Sequence, residues 1–98
     1  MSRIKLAPEV RDDFERILEH LLQTNPDEAS PRILEIVQAI DVLGTNPLIG
    51  RPAAGNKREL VIGRGSHGYL ALYRYVLAMD TVFVLALRGQ REAGYRRA

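Results

Sequence analysis

Apolar side chains recur through the first half of the chain at spacings of three and four. Val10, Phe14, Ile17, Leu18, Leu21 and Leu22 form one stripe, and Ile33, Ile36, Val37, Ile40 and Leu43 form a second. This spacing returns side chains to one face of an α-helix. The first helix is predicted to open at Pro8, because a first turn has no partner for the N–H that proline lacks. Glu9, Asp12 and Asp13 follow, where the positive end of the helix dipole favours carboxylates. Asn25-Pro26 stops it. Ser30-Pro31 opens the second helix with Ser30 as N-cap, and Gly44 to Pro47 close it. So short a link predicts an antiparallel αα-hairpin.

Elsewhere the period is two. Arg3 to Leu6 alternates and reads as a strand, whereas Leu48 to Arg58, with Gly50, Pro52, Gly55 and Asn56, reads as a loop. Glu59 to Ile62, Tyr69 to Val76 and Thr81 to Leu87 are β-rich runs joined by short links, which connect antiparallel neighbours. The predicted fold class is α+β. An N-terminal strand and an αα-hairpin pack on a small antiparallel sheet, in one domain over residues 1–98. The last two runs are apolar in both parities, although a sheet covered on one face should alternate. The second face is therefore expected either to be covered or to receive a partner.

Composition narrows the class of protein. With 98 residues, 46% hydrophobic and 27% charged, the chain has the make-up of a folded domain with one modest core. The absence of cysteine removes disulfides and thiol chemistry, and suits a reducing compartment. No apolar run approaches the ~20 residues of a membrane span, and Met1 to Lys5 leads into no signal region. A cytoplasmic protein with no membrane partner is expected. Its net charge of +2 is unevenly distributed. Residues 1–46 carry nine acidic and five basic groups, net −4, while residues 47–98 carry nine basic and three acidic, net +6. Such a basic half suits an anionic partner. Twelve of the fourteen cations are Arg, whose forked guanidinium grips phosphate or carboxylate in a bidentate way.

Most enzyme chemistries find no residues here. His20 and His67 are too far apart for a metal pair, so neither metal nor cofactor is expected, and His20 reads as a surface residue of the first helix. There is no phosphate-cradling loop and no nucleophile elbow. What remains is a cluster rich in Arg, Tyr and Glu. Arg58, Arg64, Tyr73, Arg74, Arg88, Gln90, Arg91, Glu92 and Tyr95 are candidates for binding a target or partner. Metal-free RNA cleavage also needs a base and an acid, for which His67, Glu59 and Tyr95 are the candidates.

Three segments carry a family resemblance: Arg58-Glu59-Leu60-Val61-Ile62, the run from Gly68 to Tyr75, and Arg88-Gly89-Gln90-Arg91-Glu92-Ala93-Gly94-Tyr95. Together they make the chain resemble the RelE/ParE superfamily, the toxins of bacterial type II toxin–antitoxin modules, often called plasmid stabilisation proteins. The resemblance implies a cognate antitoxin, expected to be of the ribbon-helix-helix type, that neutralises this chain. ParE-like members inhibit DNA gyrase, whereas RelE-like members cleave messenger RNA in the ribosome. Relatives commonly read Arg-His-Gln-Arg-Glu where this chain has Gly89 in place of the histidine, which removes a general acid/base. A ParE-like gyrase inhibitor is the expected function. The alternatives are a RelE-like endonuclease, the one case that requires direct nucleic-acid binding, and an inert antitoxin-binding module. Gly89 and Gly94 predict an adaptable tail from Arg88 to Arg97 that faces the target or is masked by the antitoxin. The other possibility is that Tyr95 packs back onto the sheet.

Overall fold

The computed structural model describes residues 1–96; Arg97, part of the expected cationic tail, lies outside the described residues. In chain order the elements are β1 (Arg3–Leu6), α1 (Val10–Thr24), a 3-10 turn (Pro26–Glu28), α2 (Ala29–Val42), β2 (Arg51–Ala53), β3 (Lys57–Ile62), β4 (Tyr69–Val76) and β5 (Thr81–Gly89). The five strands form one sheet in the order β1-β5-β4-β3-β2. The connected strands are antiparallel, as expected. The sheet as a whole is mixed, because β1 lies parallel to β5, with Ile4 opposite Val82.

The helices pack on one face. Val10, Ile17 and Leu21 of α1 and Ile36 and Ile40 of α2 bury against Tyr69, Ala71, Tyr73, Val82, Val84 and Leu87. Near the start of α2, Arg32 donates to the His67 carbonyl, and beyond its end Ser2 N–H donates to the Gly44 carbonyl, so α2 returns the length of the sheet. The apolar stripes are broader than the face that packs. Leu18, Leu22 and Val37 stay exposed, as does Leu34.

Local readings shift in three places. α1 opens at Val10 rather than Pro8, after a turn in which Val10 N–H donates to Ala7 O. α2 opens at Ala29, so Ser30 lies inside the first turn and caps nothing. The segment read as loop contains β2, which pairs with β3 through Arg51–Glu59, while Gly55 and Asn56 at positive φ turn the chain between them. Pro52 disguises this strand, yet proline is acceptable at a sheet edge because its missing N–H can face solvent there. No helix among the described residues is long and apolar enough to cross a membrane.

Candidate functional site

The face of the sheet away from the helices brings together Glu59, Arg74, Arg88 and Tyr95. Strand pairing aligns Arg51, Glu59, Leu72 and Ala86 in one row, and Val61, Leu70 and Arg88 in the next. Residues opposite one another in antiparallel strands share a face. After Gly89 the chain turns, with Gln90 N–H donating to Gly68 O and Glu92 N–H to Gly89 O. It then crosses this face. The Arg88 guanidinium carbon lies 5.2 Å from the centre of the Tyr95 ring, and Tyr95 donates its hydroxyl to Glu59 Oε2 at 2.6 Å. Arg88 also donates to the Glu92 carbonyl at 2.7 Å. Leu70 and Leu72, in the rows that hold these two anchors, are only 1% and 6% exposed. The tail is not the loose arm that its two glycines suggest. Apolar strand surface and two anchored side chains hold it down.

The chemistry of the pair follows from its neighbours. Burial would push the Glu59 carboxyl up, but hydrogen bonds from Tyr95 and Arg51, with the charges of Arg51 and Arg88, outweigh it and hold the group below the usual carboxylate value. Burial, then the hydrogen bond to the Glu59 carboxylate, drives the Tyr95 hydroxyl far above the ordinary tyrosine value. The proton therefore stays on Tyr95, and the Glu59 oxygens are occupied. Neither group is disposed to take up or release a proton near neutrality. Close by, Arg74 donates to the Gly55 carbonyl at 3.0 Å. The Nε groups of Arg74 and Arg88 are buried without an acceptor among the described residues.

Other candidates have different roles. Tyr73, expected at a binding surface, is fully buried; it donates to Pro47 O at 2.8 Å and accepts from Gly50 N–H at 2.8 Å. Arg58 donates to the carbonyls of Leu48 and Gly50. Both residues secure the turn before β2. Glu92 is tied inward to α1, where Arg16 donates to both of its oxygens at 2.8 and 2.9 Å. Arg64 and His67 sit on the exposed turn between β3 and β4, at the end of the sheet and away from Glu59, and Arg91 reaches Ser66 Oγ at 3.3 Å.

Sequence reading missed Asp13 and Arg16. Asp13 is 1% exposed, accepts from Leu87 N–H at 3.0 Å and pairs with Arg16 at 2.8 Å. Their spacing of three on α1 was the available signal, obscured because acidic residues in a first helical turn are usually solvated. Arg51 was missed with its strand. Among the described residues no three His, Asp or Glu side chains gather as metal ligands.

A family model described as the ParE toxin of the type II toxin–antitoxin system parDE matches residues 4–94. The chain is 30% identical over 92 residues to Toxin RelE3 of Caulobacter vibrioides, covering 94% of this chain and 98% of that one. A solved structure from the chromosomal ParDE system of P. aeruginosa superimposes with a TM-score of 0.76 at 22% identity, over 91% of this chain and 96% of that one. A metal-bound toxin from Helicobacter pylori shares the fold at a TM-score of 0.52 and 14% identity, over 96% of this chain and 100% of that one.

Proposed function

The chain belongs to the ParE toxin family of type II toxin–antitoxin systems, and from that premise we propose that it inhibits DNA gyrase by binding, without cutting nucleic acid. The observation that carries this reading is the Tyr95–Glu59 pair. The best-placed acid and base on the open face satisfy each other, with Arg51 completing the carboxylate's coordination. Beside this pair stand the exposed Val61 and, buried beneath the tail, Leu70 and Leu72, rather than groups that could activate a 2′-hydroxyl. Such a surface recognises; it does not transfer protons. His67 stands on a separate turn and offers no partner for that chemistry.

A cytoplasmic antitoxin of the ribbon-helix-helix type is the proposed neutralising partner. Leu18 and Leu22 on α1 and Leu34 and Val37 on α2 are exposed apolar side chains it could cover, and its carboxylates would approach the guanidinium groups of Arg74 and Arg88. The deciding experiment incubates the purified full chain with gyrase and relaxed plasmid, and in parallel with translating ribosomes. Loss of supercoiling with intact messages is expected. Cleaved messages with undisturbed supercoiling would establish the RelE-like endonuclease instead. That second reading draws on the likeness to Toxin RelE3 of Caulobacter vibrioides.

A further inference from the structure

At the end of the sheet, on the side of the helices, lies a cleft of about 690 Å³ walled by the second half of α1, the start of α2, the turn before β4 and the start of the tail. Its inner surface includes Ile17, Leu21 and Tyr69. Its rim is cationic, with Arg32 from α2, and Arg91 and Arg96 from the tail. The carboxylate in this lining, Glu92, is already engaged by Arg16 through two hydrogen bonds. Arg91 spends one donor on Ser66 Oγ at a long 3.3 Å, and Arg32 spends one on the His67 carbonyl at 3.1 Å and has an ion pair with Glu28 at 3.7 Å. A stronger acceptor would outcompete these contacts, since exposed pairs of this kind contribute little.

Tyr69 supplies a separate observation. The residue is 8% exposed, and its side chain lines the cleft. A hydroxyl on the wall of a cleft can donate to a group that enters it. Burial, opposed by the charge of Arg32 and reinforced by that of Glu35, pushes this hydroxyl above its usual value, so it stays a donor. The two observations converge on one ligand chemistry: a flat apolar body with an anionic, oxygen-rich end.

We propose that this cleft binds a nucleoside phosphate, with its base against Ile17 and Leu21, its phosphate on Arg32 and Arg91, and Tyr69 donating to it. The cleft is distinct from the Tyr95–Glu59 face, so the proposal does not depend on how the toxin acts. A nucleoside phosphate could arrive free or as the phosphorylated end of a strand, and both carry the same groups.

The test is calorimetric titration of the purified full chain with AMP, ATP and adenosine, and with a short oligonucleotide bearing either a 5′-phosphate or a 5′-hydroxyl. Saturable binding of AMP and ATP is expected, with adenosine at least about tenfold weaker because charge-assisted contacts to phosphate are lost. Arg32→Ala and Arg91→Ala should each weaken AMP about tenfold, and Tyr69→Phe several-fold, with unchanged circular dichroism. Preference for the phosphorylated oligonucleotide over AMP assigns the strand end; equal or weaker binding assigns the free nucleotide. No saturable binding at millimolar AMP, or binding indifferent to both Arg32→Ala and Arg91→Ala, would overturn the proposal. Because the readout is direct, such a failure leaves the gyrase reading untouched.

Discussion

Tyr95 and Glu59 meet at 2.6 Å although 36 residues separate them, and this bond closes the tail over the sheet face that would otherwise stand open. Two consequences of the closure are measurable. Tyr95→Phe keeps the ring over Arg88 and loses one hydrogen bond, at a cost of about 1 kcal/mol. Tyr95→Ala also uncovers Leu70 and Leu72, and a Tm lower by roughly 5–15 °C is expected for a domain of this size. A calorimetric melt of Tyr95→Ala that matches the parent chain would show that the tail contributes nothing to the fold.

Arg16 links three elements: Asp13 on its own helix, the Leu87 carbonyl of β5 and Glu92 of the tail. Arg16→Ala takes from the buried Asp13 carboxylate the guanidinium that stands 2.8 Å away and leaves the Leu87 amide in place. The expected loss is about 2–3 kcal/mol, the cost of an under-compensated buried charge. Glu92→Ala leaves the Asp13–Arg16 pair intact, so it should cost less than half as much. Denaturant titrations of the two variants give the comparison directly, and a larger loss for Glu92→Ala contradicts it.

Gly50 has no room for a side chain. A Cβ there would stand 2.6 Å from Tyr73 Cε1 and 3.0 Å from the Glu59 carbonyl. Gly50→Ala must therefore shift either the tyrosine or the β3 backbone, and a marked fall in Tm is expected. Tyr73→Phe keeps the packing but strands the Gly50 N–H, which costs about 1–3 kcal/mol. Combining the two should give less than the sum, because both disturb the same contact.

Acid should release the tail before it unfolds the core. Burial acts to raise Glu59 and Glu92, but hydrogen bonds and neighbouring cations win, and both carboxyls sit below the ordinary 4.5 in the folded chain. A depressed folded value means that the stabilisation is complete above about pH 4.5 and disappears as the pH falls through the folded values. NMR signals of Tyr95 and Gln90 should therefore move at higher pH than those of Ile36 or Val84. The Glu59→Gln variant should flatten that early transition for Tyr95. Simultaneous loss of all four signals would refute the order.

The helices and the antiparallel run β3, β4 and β5 were legible in the sequence wherever one periodicity held without interruption. Val10, Ile17 and Leu21 repeat at the helical spacing and are buried as that spacing requires. The apolar character of both parities in β4 and β5 marked the second face as either covered or awaiting a partner, without deciding between them. Part of that pattern is a β-bulge: pairing steps from Leu72–Ala86 to Tyr73–Val84 and skips Leu85, so Val82 and Val84 share the core with Leu87 across a change of parity. Periodicity cannot show the cover either, because the tail is held by side chains meeting across the fold. Residue type misled at Tyr73 and Asp13. A tyrosine and an aspartate look like surface chemistry, and each proves to be a buried hydrogen-bonding strut.

The parallel pairing of β1 with β5 also governs when the molecule can exist. β1 finds its strand partner only after Thr81 to Val84 have been made, 78 residues later. Until then α1 and α2 have no completed floor to lie on, since β5 occupies the position between β1 and β4. Closing so distant a pair is entropically slow compared with forming a local hairpin. The two helices thus gain their floor only when β5 inserts between β1 and β4, so sheet and helical layer are completed together.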